Sequence, residues 1–137
     1  MANSESLKIY VFDEVETRAF MNSLNDIDQQ LVAEAIASLI PRWEGVIGGW
    51  IKQLPNGLLQ LRIGPTRRKV LRRLQVAEPR GFSNARLLVR VYFMIHETKP
   101  VLLCVYDKAA DSSRSTQQQI MSVARSRQAN WMKNLDK

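Results

Sequence analysis

The chain carries one cysteine and one histidine among 137 residues, and these scarcities close off several chemistries. Cys104 has no second thiol with which to form an internal disulfide. Set between Leu103 and Val105, it reads as a small buried hydrophobe rather than a nucleophile. One histidine and one core cysteine are too few for a zinc site, so neither a metal nor any other cofactor is expected. No apolar run approaches the roughly 20 residues needed to cross a bilayer, which argues against a membrane partner. The first residues, MANSESLKIYVF, lack a basic stretch followed by a long apolar one, so no signal peptide is expected. A lone thiol and no leader point to the reducing cytoplasm. No internal repeat or low-complexity tract stands out.

What is present is a core and a block of positive charge. Apolar residues make up 45% of the chain, enough for one domain spanning residues 1–137. The net charge is +7, but its distribution says more than its sum. Residues 1–37 hold seven acids and two bases, the acids being mostly those of Asp13, Glu14, Glu16, Asp26, Asp28 and Glu34. Residues 62–90 hold nine bases (Arg62, Arg67, Arg68, Lys69, Arg72, Arg73, Arg80, Arg86 and Arg90) against the single acid Glu78. Nearly all are arginine, whose planar fork suits phosphate oxygens better than the point charge of lysine. A face meant only for solubility would mix lysine with glutamate. A focused arginine block is the footprint of a polyanion binder.

The hydrophobic pattern predicts the elements. Residues 7–12 read as a strand. Asp13 and Glu16 form a capping box for a helix beginning near 14, and Asn25–Asp26 turns into a second helix over 27–40 that Pro41 closes. Two strand-like runs, 50–54 and 58–63, flank the turn signal Pro55-Asn56-Gly57. Alternation there sets Arg62 on the face opposite Leu61. Residues 64–85 break the pattern as a basic stretch, readable as a short helix or as a hairpin extension. Residues 86–96 and 100–107 are nearly continuous apolar runs, expected to be central strands buried on both faces and joined by a tight turn at His96–Lys99. Ser115 or Thr116 would cap a last helix reaching about 134. The sum is an α+β domain of order β-α-α-β-β-β-α, with a small antiparallel meander covered by N-terminal helices and a C-terminal helix.

In this order, Leu54-Pro55-Asn56-Gly57-Leu58-Leu59-Gln60-Leu61-Arg62, Val89-Arg90-Val91-Tyr92-Phe93 and Leu102-Leu103-Cys104-Val105-Tyr106-Asp107-Lys108 resemble the three signature strands of the RelE/ParE superfamily, in its phage-associated HigB-like branch. The resemblance implies a RelE-like fold and the toxin of a bacterial toxin–antitoxin pair. Such toxins are metal-independent endoribonucleases that cut mRNA, commonly on the ribosome, and so inhibit translation. Basic side chains stabilise the phosphorane-like transition state and a general acid protonates the leaving oxygen. By position, Arg62 and Arg90 match the family's strand arginines, and Lys108 matches the first lysine of its Lys-Lys pair. The second is replaced by Ala109, and the family pattern has no counterpart to the 64–85 insertion.

His96, as the only histidine, is the candidate acid or base, although it also ends a strand where an ordinary polar residue is expected. Arg90, in an otherwise apolar strand, must face a cleft or a carboxylate such as Glu44 or Asp107. Arg67, Arg68, Lys69, Arg72, Arg73, Arg80, Arg86 and Arg114 are candidate RNA-phosphate contacts. Trp43, Trp50 and Trp131 could stack on bases, but core or interface packing is the default for each. The implied partners are mRNA or the ribosome, an acidic cognate antitoxin, and operator DNA for the toxin–antitoxin complex. The alternative is a non-catalytic binder on the same fold, either a ParE-like gyrase inhibitor or an RNA-binding module.

Overall fold

The computed structural model describes residues 8–135. Five strands form one sheet: β1 (Tyr10–Val11), β2 (Ile51–Gln53), β3 (Leu59–Ile63), β4 (Val89–His96) and β5 (Lys99–Asp107). Four α-helices accompany them: α1 (Glu14–Ser23), α2 (Asp26–Leu39), α3 (Arg67–Leu74) and α4 (Arg114–Leu135). The spatial order is β1-β5-β4-β3-β2.

Two corrections to the expected order follow. A strand falls within each of the four runs read as strand-like after the second helix, so the order is β-α-α-β-β-α-β-β-α and not β-α-α-β-β-β-α, with α3 between β3 and β4. The sheet is mixed, because β1 pairs with β5 in parallel while every other pairing is antiparallel. A meander assumes that neighbours in sequence are neighbours in space. Two helices separate β1 from β2, so β1 instead takes the free edge of β5.

Helix starts follow local chemistry. The Asp13 carboxylate accepts from the Glu16 amide at 2.9 Å, and the Asn25 side chain accepts from the Asp28 amide at 2.9 Å. The last helix is capped one turn earlier than expected: the Ser113 hydroxyl, not Ser115 or Thr116, accepts from the Thr116 amide at 3.2 Å. The insertion resolves as a helix. Thr66 accepts from the Lys69 amide, and left-handed Gln75 closes α3 with its N–H on the last carbonyls.

The sheet has an apolar layer on each side, and β4 and β5 lie at its centre as their composition required. On one side Leu61, Ile63, Val91 and Phe93 meet Leu31, Val32, Ala35 and Leu39 of α2 and Val70 and Leu71 of α3. On the other, Tyr92, Met94, Leu103, Cys104 and Tyr106 meet Ala124 of α4. Strand alternation allots neighbours to opposite layers, so Val11 joins the first and Tyr10 the second.

At Gly64 (φ 142°) the chain leaves β3 against the Leu87 backbone. A Cβ there would stand 2.0 Å from the Leu87 carbonyl oxygen, so only glycine lets the insertion cross at that point. Thr66 then bridges to Arg86, which holds the two ends of the insertion together.

A candidate nucleic-acid interface

The register places Arg62 of β3 directly opposite Arg90 of β4, and Arg90 opposite Tyr106 of β5. Side chains paired in this way share a face, so the two guanidiniums stand side by side on the α4 face of the sheet. Each alternates with residues of the α2-side core, Leu61 and Ile63 flanking Arg62, and Val89 and Val91 flanking Arg90. Neither arginine forms an ion pair among the described residues. The Glu44 or Asp107 partner considered for Arg90 is therefore not found. Arg90 instead reaches only the Val89 carbonyl, at 3.4 Å. Arg62 donates to the Gly49 carbonyl at 2.9 Å, which fixes its guanidinium at the sheet edge.

Around this pair lies a cleft of about 220 Å³ lined by Gly49, Trp50, Arg62, Gly64, Pro65, Leu88 and Arg90. Lys108, just past the end of β5, adds a third cation. Desolvation lowers its pKa first, and the charges of Arg90, Arg62 and Arg86 lower it further. Arg86 therefore belongs to the same electrostatic cluster. Burial likewise depresses Arg90, with Arg62 adding repulsion, although a guanidinium keeps its charge. From the other side, α3 sends Arg73 over Trp50, its guanidinium carbon 6.0 Å from the ring centroid.

Two tyrosines floor the cluster. Tyr106 has a buried hydroxyl with no hydrogen-bond partner among the described residues, and Tyr92 accepts a bond from Gln60 at 2.9 Å. Burial raises the pKa of both, so each phenol stays protonated near neutral pH. Burial also pushes the Cys104 thiol up to about 12, which removes it as a nucleophile.

The remaining sequence candidates are scattered. His96 closes β4 at the end opposite Arg90, six residues along the strand and so roughly 20 Å away. It lines a separate cavity with Tyr10, Lys99 and Trp131. The insertion's cations divide. Arg67 is 9% exposed, bonded to Asp28 at 2.7 Å and to the Ser83 carbonyl, so its charge holds α3 to α2 instead of facing solvent. Arg68 grips Glu78 through two bonds of 2.8 and 3.3 Å. Lys69, Arg72 and Arg80 lie on the surface, as does Arg114 at the start of α4. Trp43 and Trp131 pack against the two core layers.

Sequence reasoning did not single out Tyr106, and it had no means of assigning Arg73 to Trp50. A tyrosine two residues before the matched Lys108 was visible, but its pairing with Arg90 depends on the hairpin register. Among the described residues no group of three histidine, cysteine or carboxylate side chains could hold a metal ion. No helix among them is long and apolar enough to cross a membrane. No family model, curated protein or solved structure matches the chain.

Proposed function

We propose that this cleft binds the sugar–phosphate backbone of RNA, and that the protein is a RelE/HigB-like toxin, a metal-independent mRNA endoribonuclease that stops translation. One observation carries the reading: Arg62 and Arg90 stand paired across two strands, with Lys108 beside them and no carboxylate of the described residues to neutralise them. Like charges so placed cost stability in the folded chain. A phosphate between them reverses the sign of that term.

The chemistry that fits is internal transesterification. The ribose 2′-oxygen attacks the adjacent phosphorus and the bond to the 5′-oxygen breaks, leaving a 2′,3′-cyclic phosphate and a 5′-hydroxyl. Arg62 and Arg90 meet the charge that builds on the phosphorane oxygens, which is where preorganised donors accelerate most. Lys108, with its lowered pKa, releases a proton more readily than an ordinary lysine and is the donor to the leaving 5′-oxygen. Solvent takes the proton of the 2′-hydroxyl. His96 has no part in this arrangement. In the cytoplasm such a protein is held in check by an acidic antitoxin laid over the same cations.

The test is to incubate the protein with mRNA, alone and with programmed ribosomes, in the presence of EDTA. Fragments with 5′-hydroxyl ends are expected, and Arg90→Ala should abolish them without unfolding the protein. RNA that stays intact in both settings but is still bound would establish the second reading, a non-catalytic RNA binder. That reading is favoured by the lack of any histidine or carboxylate among the residues lining the cleft.

A further inference from the structure

We propose that Trp50 is a stacking platform for one unpaired base, so that the cleft takes single-stranded and not duplex RNA. The inference rests on the phosphate-binding reading above and deepens it.

Trp50 is partly buried against the α2-side core and also lines the cleft beside Arg62 and Arg90. Its two neighbours along the wall, Gly49 and Gly64, have no side chains to shield it. Backbone bonds tie the platform to the cations. The Arg62 amide donates to the Trp50 carbonyl at 2.7 Å, and the Arg62 guanidinium donates to Gly49 at 2.9 Å. The Arg62 guanidinium is thus anchored on the carbonyl of the residue next to Trp50, which keeps a phosphate-binding cation beside the tryptophan. Arg73 lies over the ring, its guanidinium carbon 6.0 Å from the centroid, so a base that stacks on Trp50 moves into the place of this flexible side chain, whose charge then meets the neighbouring phosphate. An aromatic face set among phosphate-binding cations is how proteins hold single strands, because every base has a π-face while the backbone supplies the charge. In an A-form duplex the bases are stacked inside and can offer no face to Trp50. Neither other tryptophan has this setting: Trp43 lines a cavity beside Leu54 and Leu58, and Trp131 leans on Tyr10.

The test uses three 2′-O-methyl probes that resist cleavage: a labelled ten-nucleotide single strand, the same strand with abasic sugars, and its duplex. Fluorescence anisotropy at constant salt should show the base-bearing strand bound roughly tenfold tighter than the abasic strand, within the range of aromatic stacking. The duplex should bind no better than the abasic strand. Trp50→Ala should bind base-bearing and abasic strands equally, at the abasic level, whereas Trp50→Phe should keep most of the difference and Trp43→Phe all of it. If Trp50→Ala does not fold, the Trp43→Phe/Trp131→Phe variant retains Trp50 alone, and its emission should be quenched by the base-bearing strand only. Equal affinity of the natural chain for both single strands, or tighter binding of the duplex, would overturn the platform and leave phosphate binding intact. Binding of no probe at all would instead overturn the phosphate reading itself.

Discussion

At the scale of single residues, Arg62 and Arg90 work against the stability of the sheet that carries them. Two like charges directly opposite on antiparallel strands are unfavourable, and Arg90 is also partly desolvated. Replacing Arg90 with methionine keeps the stem and removes the charge. The expected result is a protein more stable by about 0.5–1 kcal/mol in urea unfolding but deficient in RNA binding. A loss of stability on that substitution would mean that the guanidinium has a structural partner. Lys108 titrates with the opposite emphasis. Its folded pKa is below its unfolded one, so between the two values the unfolded chain holds more protons and stability rises with pH. A bound phosphate raises that pKa again, so binding takes up a proton and weakens as pH rises through the value in the free protein. Affinity measured from about pH 7 to pH 10 should therefore fall in the natural chain and stay nearly flat in Lys108→Arg, whose charge does not titrate there. The strand positions of Arg62 and Arg90 were readable from alternation. Their direct pairing was not, because the register between β3 and β4 is set across the whole insertion.

At the scale of elements, the insertion is the part the sequence left open and the structure makes specific. Its helix starts on the Thr66 cap ahead of the run RRKVLRRL, a signal that the reading of 64–85 as helix or hairpin did not use. What was not legible is which cations the helix turns inward. Arg67 finds Asp28 on α2, a residue distant in sequence, and that pair commits the orientation of α3. The orientation in turn brings Arg73 to Trp50. All of this depends on the chain leaving β3 at Gly64. Gly64→Ala sets a methyl group 2.0 Å from a backbone carbonyl that cannot rotate away. We expect it to lower stability by about 2 kcal/mol or more, in line with other incompatible glycine replacements. Amide exchange would show α3 opening before the central strands. If α3 keeps its protection in a folded Gly64→Ala protein, the crossing at Leu87 does not position it. The first strand illustrates the converse limit. Its residues were recognisable, but its partner lay at the far end of the chain, so a period-2 pattern could give the strand and not its neighbour.

At the scale of the whole molecule, the number of basic residues overstates what is free to meet a polyanion. The chain has 20 lysines and arginines, yet Arg67 is neutralised by Asp28, Arg68 by Glu78 and Arg127 by Glu16. Helix α2, which carries Asp26, Asp28 and Glu34, packs on the layer away from the Arg62–Arg90 face, so repulsion from its acids falls on the opposite side of the sheet. Composition alone treats the arginines of 62–90 as one block, whereas ion pairing sorts them into those that hold the fold and those that can release counterions. Counterion release gives a direct way to tell the two apart. For a single strand, the logarithm of affinity falls with the logarithm of salt concentration by about 0.7 for each phosphate neutralised. Removing Arg62 or Arg90 should flatten that slope by about 0.7 and weaken binding at every salt concentration. Removing Arg68 should leave the slope unchanged, since its charge is already spent on Glu78. Arg72→Ala is the informative intermediate: a surface arginine without an ion pair among the described residues, on the helix that reaches the cleft. A slope reduced by Arg72→Ala as much as by Arg90→Ala would extend the bound strand from the cleft across α3. A slope that Arg72→Ala leaves intact would confine the contact to the sheet edge, where Arg62, Arg90 and Lys108 converge.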